Sequence, residues 1–352
     1  MSSENDPELS VVVPVLNEEG ILPSFLAAMA RQSGVGFELI LSDGGSTDGG
    51  VELAERLAEN STFAVRVIRG ARGRGAQLNL GAEKAAARTL LFLHADSSFP
   101  DPLSLRKGLD QLSAAAADGG RVAGHFSLEF DFGGEIPRPY RFYGAKAALD
   151  RPGCTHGDQG FLIGADFFRG VGPFDVTLPV LEDTLLAERV RVSGRWLLLS
   201  PRIRTSPRRF LSEGLLARQT LNAMVMNLAA IGEPCLIRAL RDCYRCQGGA
   251  KKLELGPFLQ EIGERLSDLP RAKRRRLWRA TGAYVRSNAW QVPFFLDFLF
   301  GGLSEGEGGS LLRLHDRLIG RLIDNRFGDA CAALLSRGWF RAALFRSRSL
   351  KK

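Results

Sequence analysis

A histidine and a carboxylate close the run Leu90-Leu91-Phe92-Leu93-His94-Ala95-Asp96. Its four apolar residues, with Thr89 before them, read as a strand buried on both faces. A carboxylate at the carboxyl end of such a strand stands where open α/β sheets bind ligands. Its oxygens suit a hard divalent cation that carries phosphates. Read from these residues alone, Asp96 serves equally well as a turn residue ahead of Pro100-Asp101-Pro102. Three other loops carry chemistry of the same kind: Asn17-Glu18, Asp43-Gly44-Gly45-Ser46-Thr47-Asp48, and Arg72-Gly73-Arg74-Gly75. Together the four suit a nucleotide, with carboxylates for base and ribose edges, arginine for phosphate, and Asp96 with a metal for pyrophosphate.

The elements that must position these loops follow from the apolar pattern. Residues 9–15 form a β-branched run and read as the first strand, followed by a helical stretch to Met29. Residues 37–42 and 63–68 read as the second and third strands, and residues 90–93 as the fourth. Residues 51–59 and the Ala-rich residues 76–88 have helical spacing, with Thr47 or Asp48 available as N-cap. This β-α-β-α-β-α-β order argues a parallel sheet covered by helices. Further on, residues 122–130 read as a strand, 161–163 as a short strand, 182–192 as a charged helix, and 196–199 and 203–205 as two short closing strands. From Ser212 the pattern is helical to the end, with glycine-rich breaks. The boundary is expected near Gly232-Glu233-Pro234 or a little beyond Cys246, and the former gives an α/β domain over residues 8–232 and a basic helical region over 233–352.

Composition bounds the class. The chain has 352 residues, 45% of them hydrophobic, which is ordinary for a globular protein. Its net charge of +8 is uneven and comes largely from arginine-rich stretches after Arg189, which points to a phosphate-bearing ligand or an anionic surface. No zinc-finger spacing, RNA-recognition signature or basic zipper is present, so nucleic acid is not the expected partner. Five cysteines at irregular spacing do not make a disulfide framework, and Cys243-Tyr244-Arg245-Cys246 has no second ligand pair nearby, so ordinary reduced thiols are expected. The first eight residues lack the apolar core of a signal peptide. No stretch offers the ~18 uncharged apolar residues of a membrane span. The expected location is the cytoplasm; the basic, aromatic tail suits two readings, apolar helix faces packed on the catalytic domain or on a second subunit, and peripheral contact at the inner face of the membrane.

No G-x-x-x-x-G-K-[ST] loop is present, and no dinucleotide fingerprint follows the first strand, which counts against an ATPase and an NAD enzyme. The motifs Val12-Val13-Pro14-Val15-Leu16-Asn17-Glu18, Asp43-Gly44-Gly45-Ser46-Thr47-Asp48 and Leu93-His94-Ala95-Asp96 resemble the family 2 glycosyltransferases of the GT-A fold. Gly73-Arg74-Gly75-Ala76-Gln77-Leu78-Asn79-Leu80-Gly81-Ala82 resembles the same family's segment before the metal strand. Gly157-Asp158-Gln159-Gly160, Leu181-Glu182-Asp183 and Arg208-Arg209-Phe210 are similar to the bacterial subgroup labelled arsenosugar-biosynthesis or radical-SAM/selenodomain-associated glycosyltransferases.

The resemblance implies a mostly parallel mixed sheet flanked by helices, with a helical C-terminal extension, and an inverting transfer from a nucleoside-diphosphate sugar to an acceptor hydroxyl. It implies roles residue by residue. Pro14, Asn17 and Glu18 would line the nucleoside pocket, Asp43 would bind the base, and Arg74 and Asn79 would lie along the donor. Asp96 would ligate Mg2+ or Mn2+, Asp183 would be the general base, and Arg208 and Arg209 would hold the diphosphate. Asp158, Gln159 and Glu182 stand as acceptor-side or supporting residues. The sequence departs from the family pattern where His94 replaces the first Asp of Asp-x-Asp and Phe210 replaces a Trp. Without the resemblance, Glu182-Asp183 reads as an acidic pair at a helix start, Arg208-Arg209 as a solvated basic turn, and His125 and His156 as structural residues. Two other functions compete: a nucleotidyltransferase on a similar sheet, and a non-catalytic membrane or nucleic-acid binding module using the tail.

Overall fold

The computed structural model describes residues 6–245, 252–301, 303 and 308–349. The chain divides into two compact units, Met1–Ser206 and Pro207–Lys352. The division precedes the boundary read from the sequence near Gly232.

In the first unit, β1 (Leu9–Val15), β2 (Phe37–Asp43), β3 (Ala64–Arg69) and β4 (Thr89–Phe92) alternate with α1 (Leu22–Ala30), α2 (Gly50–Ala58) and α3 (Arg74–Lys84). β5 (Ser97–Ser98), α4 (Ser104–Ala116), β6 (Val122–Phe130), α5 (Arg138–Ala147), β7 (Phe161–Gly164), α6 (Ala165–Val171), α7 (Glu182–Ser193) and β8 (Arg195–Thr205) follow. All eight strands share one sheet, in the order β3-β2-β1-β4-β7-β6-β8-β5. β1, β2, β3 and β4 run parallel, and β7 turns antiparallel to both β4 and β6. This is the mostly parallel, helix-flanked mixed sheet that the resemblance implies. Residues 195–205, expected as two short strands, form a single strand. It pairs with β6 across a register shift at Phe126/Ser127, the irregularity that a bulge introduces.

The β-branched residues of β1 explain its place at the centre. Val11, Val12 and Val13 are fully buried, because helices cover both faces of the parallel part. α3 lies directly against β1 at Gly81, where a Cβ would stand 2.2 Å from Val12 Cγ1, so no larger residue fits without moving the helix. In the same core cluster as Val12 and Leu78 of α3, Phe92, Phe168 and Phe174 form a three-ring group that joins α6 and the loop before α7 to β4. Trp196 Nε1 donates to Ala187 O (2.9 Å), so the one polar atom of its ring is satisfied within that core.

The second unit is helical: α8 (Arg208–Glu213), α9 (Leu215–Ala230), α10 (Pro234–Arg245), α11 (Gly256–Asp268), α12 (Arg271–Ser287) and α13 (Gln291–Leu299), then α14 (Ser310–Leu314), a π turn (His315–Ile319), α15 (Gly320–Ile323) and the long α16 (Arg326–Ser349). Gly282 of α12 lets the backbone of α16 approach, since a Cβ there would meet Asp329 O at 2.2 Å. Among the described residues no helix is long and apolar enough to cross a membrane. Cys154, Cys235, Cys243 and Cys331 are free thiols, and Cys246 lies outside the described residues.

Candidate active site

The loops after β1 and β2 are tied into one wall. Asn17 adopts a left-handed backbone (φ +55°), a conformation its short polar side chain tolerates. Its Oδ1 accepts the Thr47 N–H (2.8 Å) while its own N–H donates to Ser46 Oγ (2.9 Å). Asp43 is buried, and its carboxylate accepts the N–H groups of Gly45 and Ser46, both at 3.0 Å. Asp48 does not cap α2 in the expected way. Gly49, at φ +76°, occupies the cap position, and Asp48 accepts from Gly50 (3.0 Å) and Glu19 (2.9 Å).

A buried amide holds this wall to the sheet. Gln77 Nε2 donates to Val15 O and Ser42 O, both at 2.7 Å, and so bridges the ends of β1 and β2. Sequence reasoning gave Gln77 no role. The available signal was a lone amide on the face of α3 that buries Gly75, Leu78 and Gly81.

One turn away on the same helix, Arg74 enters a charged cluster. It is ion-paired to Glu182, and its Nη2 lies 3.7 Å from Asp183 Oδ2. Glu182 and Asp183 open α7, where the helix dipole favours negative charge. The residue before them, Leu181, holds φ +72°, which is costly for a branched side chain and fixes the direction in which the pair points. Asp183 Oδ2 accepts the Gly157 N–H (2.8 Å) and Oδ1 accepts the Thr184 N–H (2.7 Å). Burial pushes the Asp183 carboxyl up, but Arg74, His156 and the Gly157 N–H outweigh it and hold its pKa below the usual value. His94 Nδ1 stands 2.9 Å from Asp158 Oδ1. Burial disfavours the His94 cation, yet the Asp158 carboxylate overrides it and raises the imidazole pKa. Burial also pushes Asp158 up, and its bond from His94 with the charges of His94 and Arg74 reverses this, leaving it well below the carboxylate range. A small cavity lies among Arg74, His94, Gly157, Phe174 and Asp183.

The family model for glycosyl transferase family 2 matches residues 10–164. A PGL/p-HBAD biosynthesis glycosyltransferase of Mycobacterium tuberculosis is 32% identical over 183 residues, which cover 50% of this chain and 67% of the relative. The chain belongs to glycosyltransferase family 2. This family 2 enzyme is also similar to a dolichyl-phosphate beta-glucosyltransferase of Drosophila melanogaster, 36% identical over 138 residues, 35% of this chain and 42% of the relative. Among solved structures, a mannosyltransferase of Pyrobaculum calidifontis in complex with GDP-Man and Mn2+ aligns with a TM-score of 0.49 and 17% identity, over 96% of this chain and 88% of that one.

Membership in an enzyme family removes the non-catalytic binding module, and a glycosyltransferase family removes the nucleotidyltransferase. Within the family 2 enzyme the expected residues fall into distinct places. Arg74, Asp158, Glu182 and Asp183 meet in one cluster. Asn79, expected along the donor, clamps backbone: its Nδ2 donates to Phe174 O (2.9 Å) and its Oδ1 accepts the Phe174 N–H (2.8 Å). Gln159 is buried and supports the cluster from behind, donating to His125 Nδ1 (2.7 Å) and Ala147 O (2.8 Å) while accepting the His156 N–H (2.9 Å). Pro14 and Glu18 are half-buried at the end of β1, and Asp96 is half-buried in the turn between β4 and β5. Arg208 and Arg209 belong to the second unit, at the start of α8, where Arg209 donates to Glu213 (3.3 Å) and to Tyr244 Oη (3.1 Å).

Proposed function

We propose that this chain transfers a sugar from a nucleoside-diphosphate sugar to an acceptor hydroxyl with inversion, and that Asp183 is the general base. The observation that carries the reading is the state of Asp183. It is fixed at a helix start by two backbone N–H groups, and Arg74 at 3.7 Å favours its ionised form. An ionised, oriented carboxylate takes the acceptor proton as the hydroxyl oxygen attacks the anomeric carbon. The bond from that carbon to the diphosphate breaks on the opposite face, and the nucleoside diphosphate leaves with the electron pair.

Negative charge grows on the departing diphosphate and must be met by positive charge. A divalent cation such as Mg2+ or Mn2+ supplies this when bound. Among the described residues no group of three or more His, Cys, Asp and Glu side chains is placed to hold a metal. A cation held by one carboxylate together with donor phosphates is the usual pattern for Mg2+ at phosphate sites. Asp96 is the carboxylate that would hold it, since His94 already pairs with Asp158. Asn17, Asp43 and Glu18 would shape the wall for the base and ribose, with Pro14 beneath. The diphosphate role of Arg208 and Arg209 belongs to the same proposal.

The name of the Drosophila relative is that of a dolichyl-phosphate glucosyltransferase. For this chain we take the acceptor no further than a hydroxyl presented at the inner face of a membrane. The narrower likeness to the arsenosugar subgroup rests on the motifs Gly157-Asp158-Gln159-Gly160, Leu181-Glu182-Asp183 and Arg208-Arg209-Phe210, and it identifies no acceptor by itself. The test is a screen of nucleotide sugars, read as nucleoside diphosphate released. Asp183→Asn should bind the active donor as the wild type does and lose turnover by ~10²–10⁴-fold. Turnover within a few-fold of wild type would remove Asp183 from the chemistry.

A further inference from the structure

Charge is divided sharply between the two units. Residues 207–352 carry 26 Lys and Arg against 13 Asp and Glu, a net +13, while residues 1–206 carry 21 against 26, a net −5. Large apolar side chains at the surface are also concentrated in the second unit. The two features coincide between Ser310 and Ile323, through α14, the π turn and α15. Leu314, Leu318 and Leu322 recur every fourth residue and are 45%, 57% and 75% exposed. Arg313, Arg317 and Arg321 precede each of them by one position and are exposed as well. Four-residue spacing keeps each set on one side of a helical segment, so a leucine row runs beside an arginine row.

The segment is held from the inside. Asp297 of α13 is buried, and its carboxylate accepts the N–H groups of Leu311 (3.0 Å) and Leu312 (2.8 Å). The carboxylate sits tight against Gly309, where a Cβ would stand 2.3 Å from Asp297 Cγ. Leu312 and His315 point inward and are buried, so the exposed leucines are the outer face of an anchored helix.

We propose that this outer face lies on an anionic lipid surface, the leucines entering the headgroup–acyl boundary and the arginines meeting lipid phosphates. Charge selects the occupant. A second copy docked through the same face would set one arginine row against another. Nucleic acid would meet the arginines and leave the leucines in water. An anionic bilayer satisfies both rows at once. This deepens the membrane part of the reading above, and it is independent of the chemistry assigned to Asp183.

The test is co-flotation of the full chain with phosphatidylcholine vesicles, with and without phosphatidylglycerol, over a range of salt. The wild type should float with the anionic vesicles at low salt and progressively detach as salt rises. Arg317→Gln and Arg321→Gln should each weaken binding about fivefold. The double variant Leu318→Glu/Leu322→Glu should lose it while keeping the wild-type circular dichroism spectrum and donor turnover. Asp183→Asn should float as the wild type does, which separates this inference from the catalytic one. A wild type that ignores anionic vesicles at low salt overturns the proposal. So does a double glutamate variant that floats unchanged, or a lipid-free dimer that the same variant dissolves.

Discussion

Arg74, at the start of α3, faces Asp183, at the start of α7, across 3.7 Å, and is ion-paired at the same time to the neighbouring Glu182. One guanidinium thus serves two acids 108 and 109 positions away in sequence. Replacing it by glutamine leaves Glu182 and Asp183 without their counter-charge. The Arg74 side chain is 37% exposed, so the cost should fall below that of breaking a fully buried pair, at about 2 kcal/mol. A urea denaturation midpoint at neutral pH measures it. The acid limb of turnover should move with it. Without Arg74 the Asp183 pKa rises, so the ionised base is lost at a higher pH than in the wild type. An acid limb that stays in place in Arg74→Gln would disconnect the two residues.

Gly157 tests how closely Asp183 is held. A Cβ at this position would stand 2.9 Å from Asp183 Oδ2 and 3.1 Å from His94 Nε2. Gly157→Ala should therefore push the carboxylate off its backbone donor. A displacement of this kind costs about a hundredfold in turnover, with the thermal midpoint little changed. Turnover within a few-fold of wild type would mean that the position of Asp183 does not limit the reaction.

The parallel half of the fold was legible because burial on both faces forces continuous β-branched and aliphatic runs, as in Val11, Val12 and Val13. The role proposed for Asp183 comes from a motif, since two adjacent acids at a helix start look the same whether or not they work. The clamp that Asn79 makes was not legible because its partner, the Phe174 backbone, is 95 residues away and no local pattern announces it. Gln77 was missed for the same reason: the carbonyls it bridges belong to β1 and β2. His94 looked like a departure from a metal motif, and in the structure its Nδ1 is occupied by Asp158 from a loop that only the mixed sheet brings near. Side-chain partnerships across the sheet depend on topology, and topology enters the sequence as spacing alone.

His125 makes the fold acid-sensitive. It is buried beneath the cluster, accepts from Gln159, and burial drives its pKa down to about 4. In the unfolded chain the ring titrates near ~6.5. Between these values the unfolded state binds a proton that the folded state refuses. Stability is therefore full above about pH 6.5 and falls as the pH drops toward 4, by up to about 3 kcal/mol. His94 works in the opposite direction, because its raised pKa adds stability that is lost as the pH rises through it. The difference between wild type and His125→Gln isolates the first effect. Urea midpoints at pH 7 and pH 4.5 should converge in the variant relative to the wild type, and an equal drop in both would assign the acid sensitivity elsewhere.

Donor binding at the ends of β1, β2 and β4 is tested most directly by calorimetry of UDP and GDP, each with and without Mn2+, on wild type and Asp96→Ala. The wild type should bind one of the two nucleotides with an affinity that falls at least tenfold when manganese is withdrawn, about 1.4 kcal/mol. Asp96→Ala should bind that nucleotide weakly and with no response to manganese. Equal, manganese-dependent binding by the two proteins would contradict the placement of the donor at Asp96.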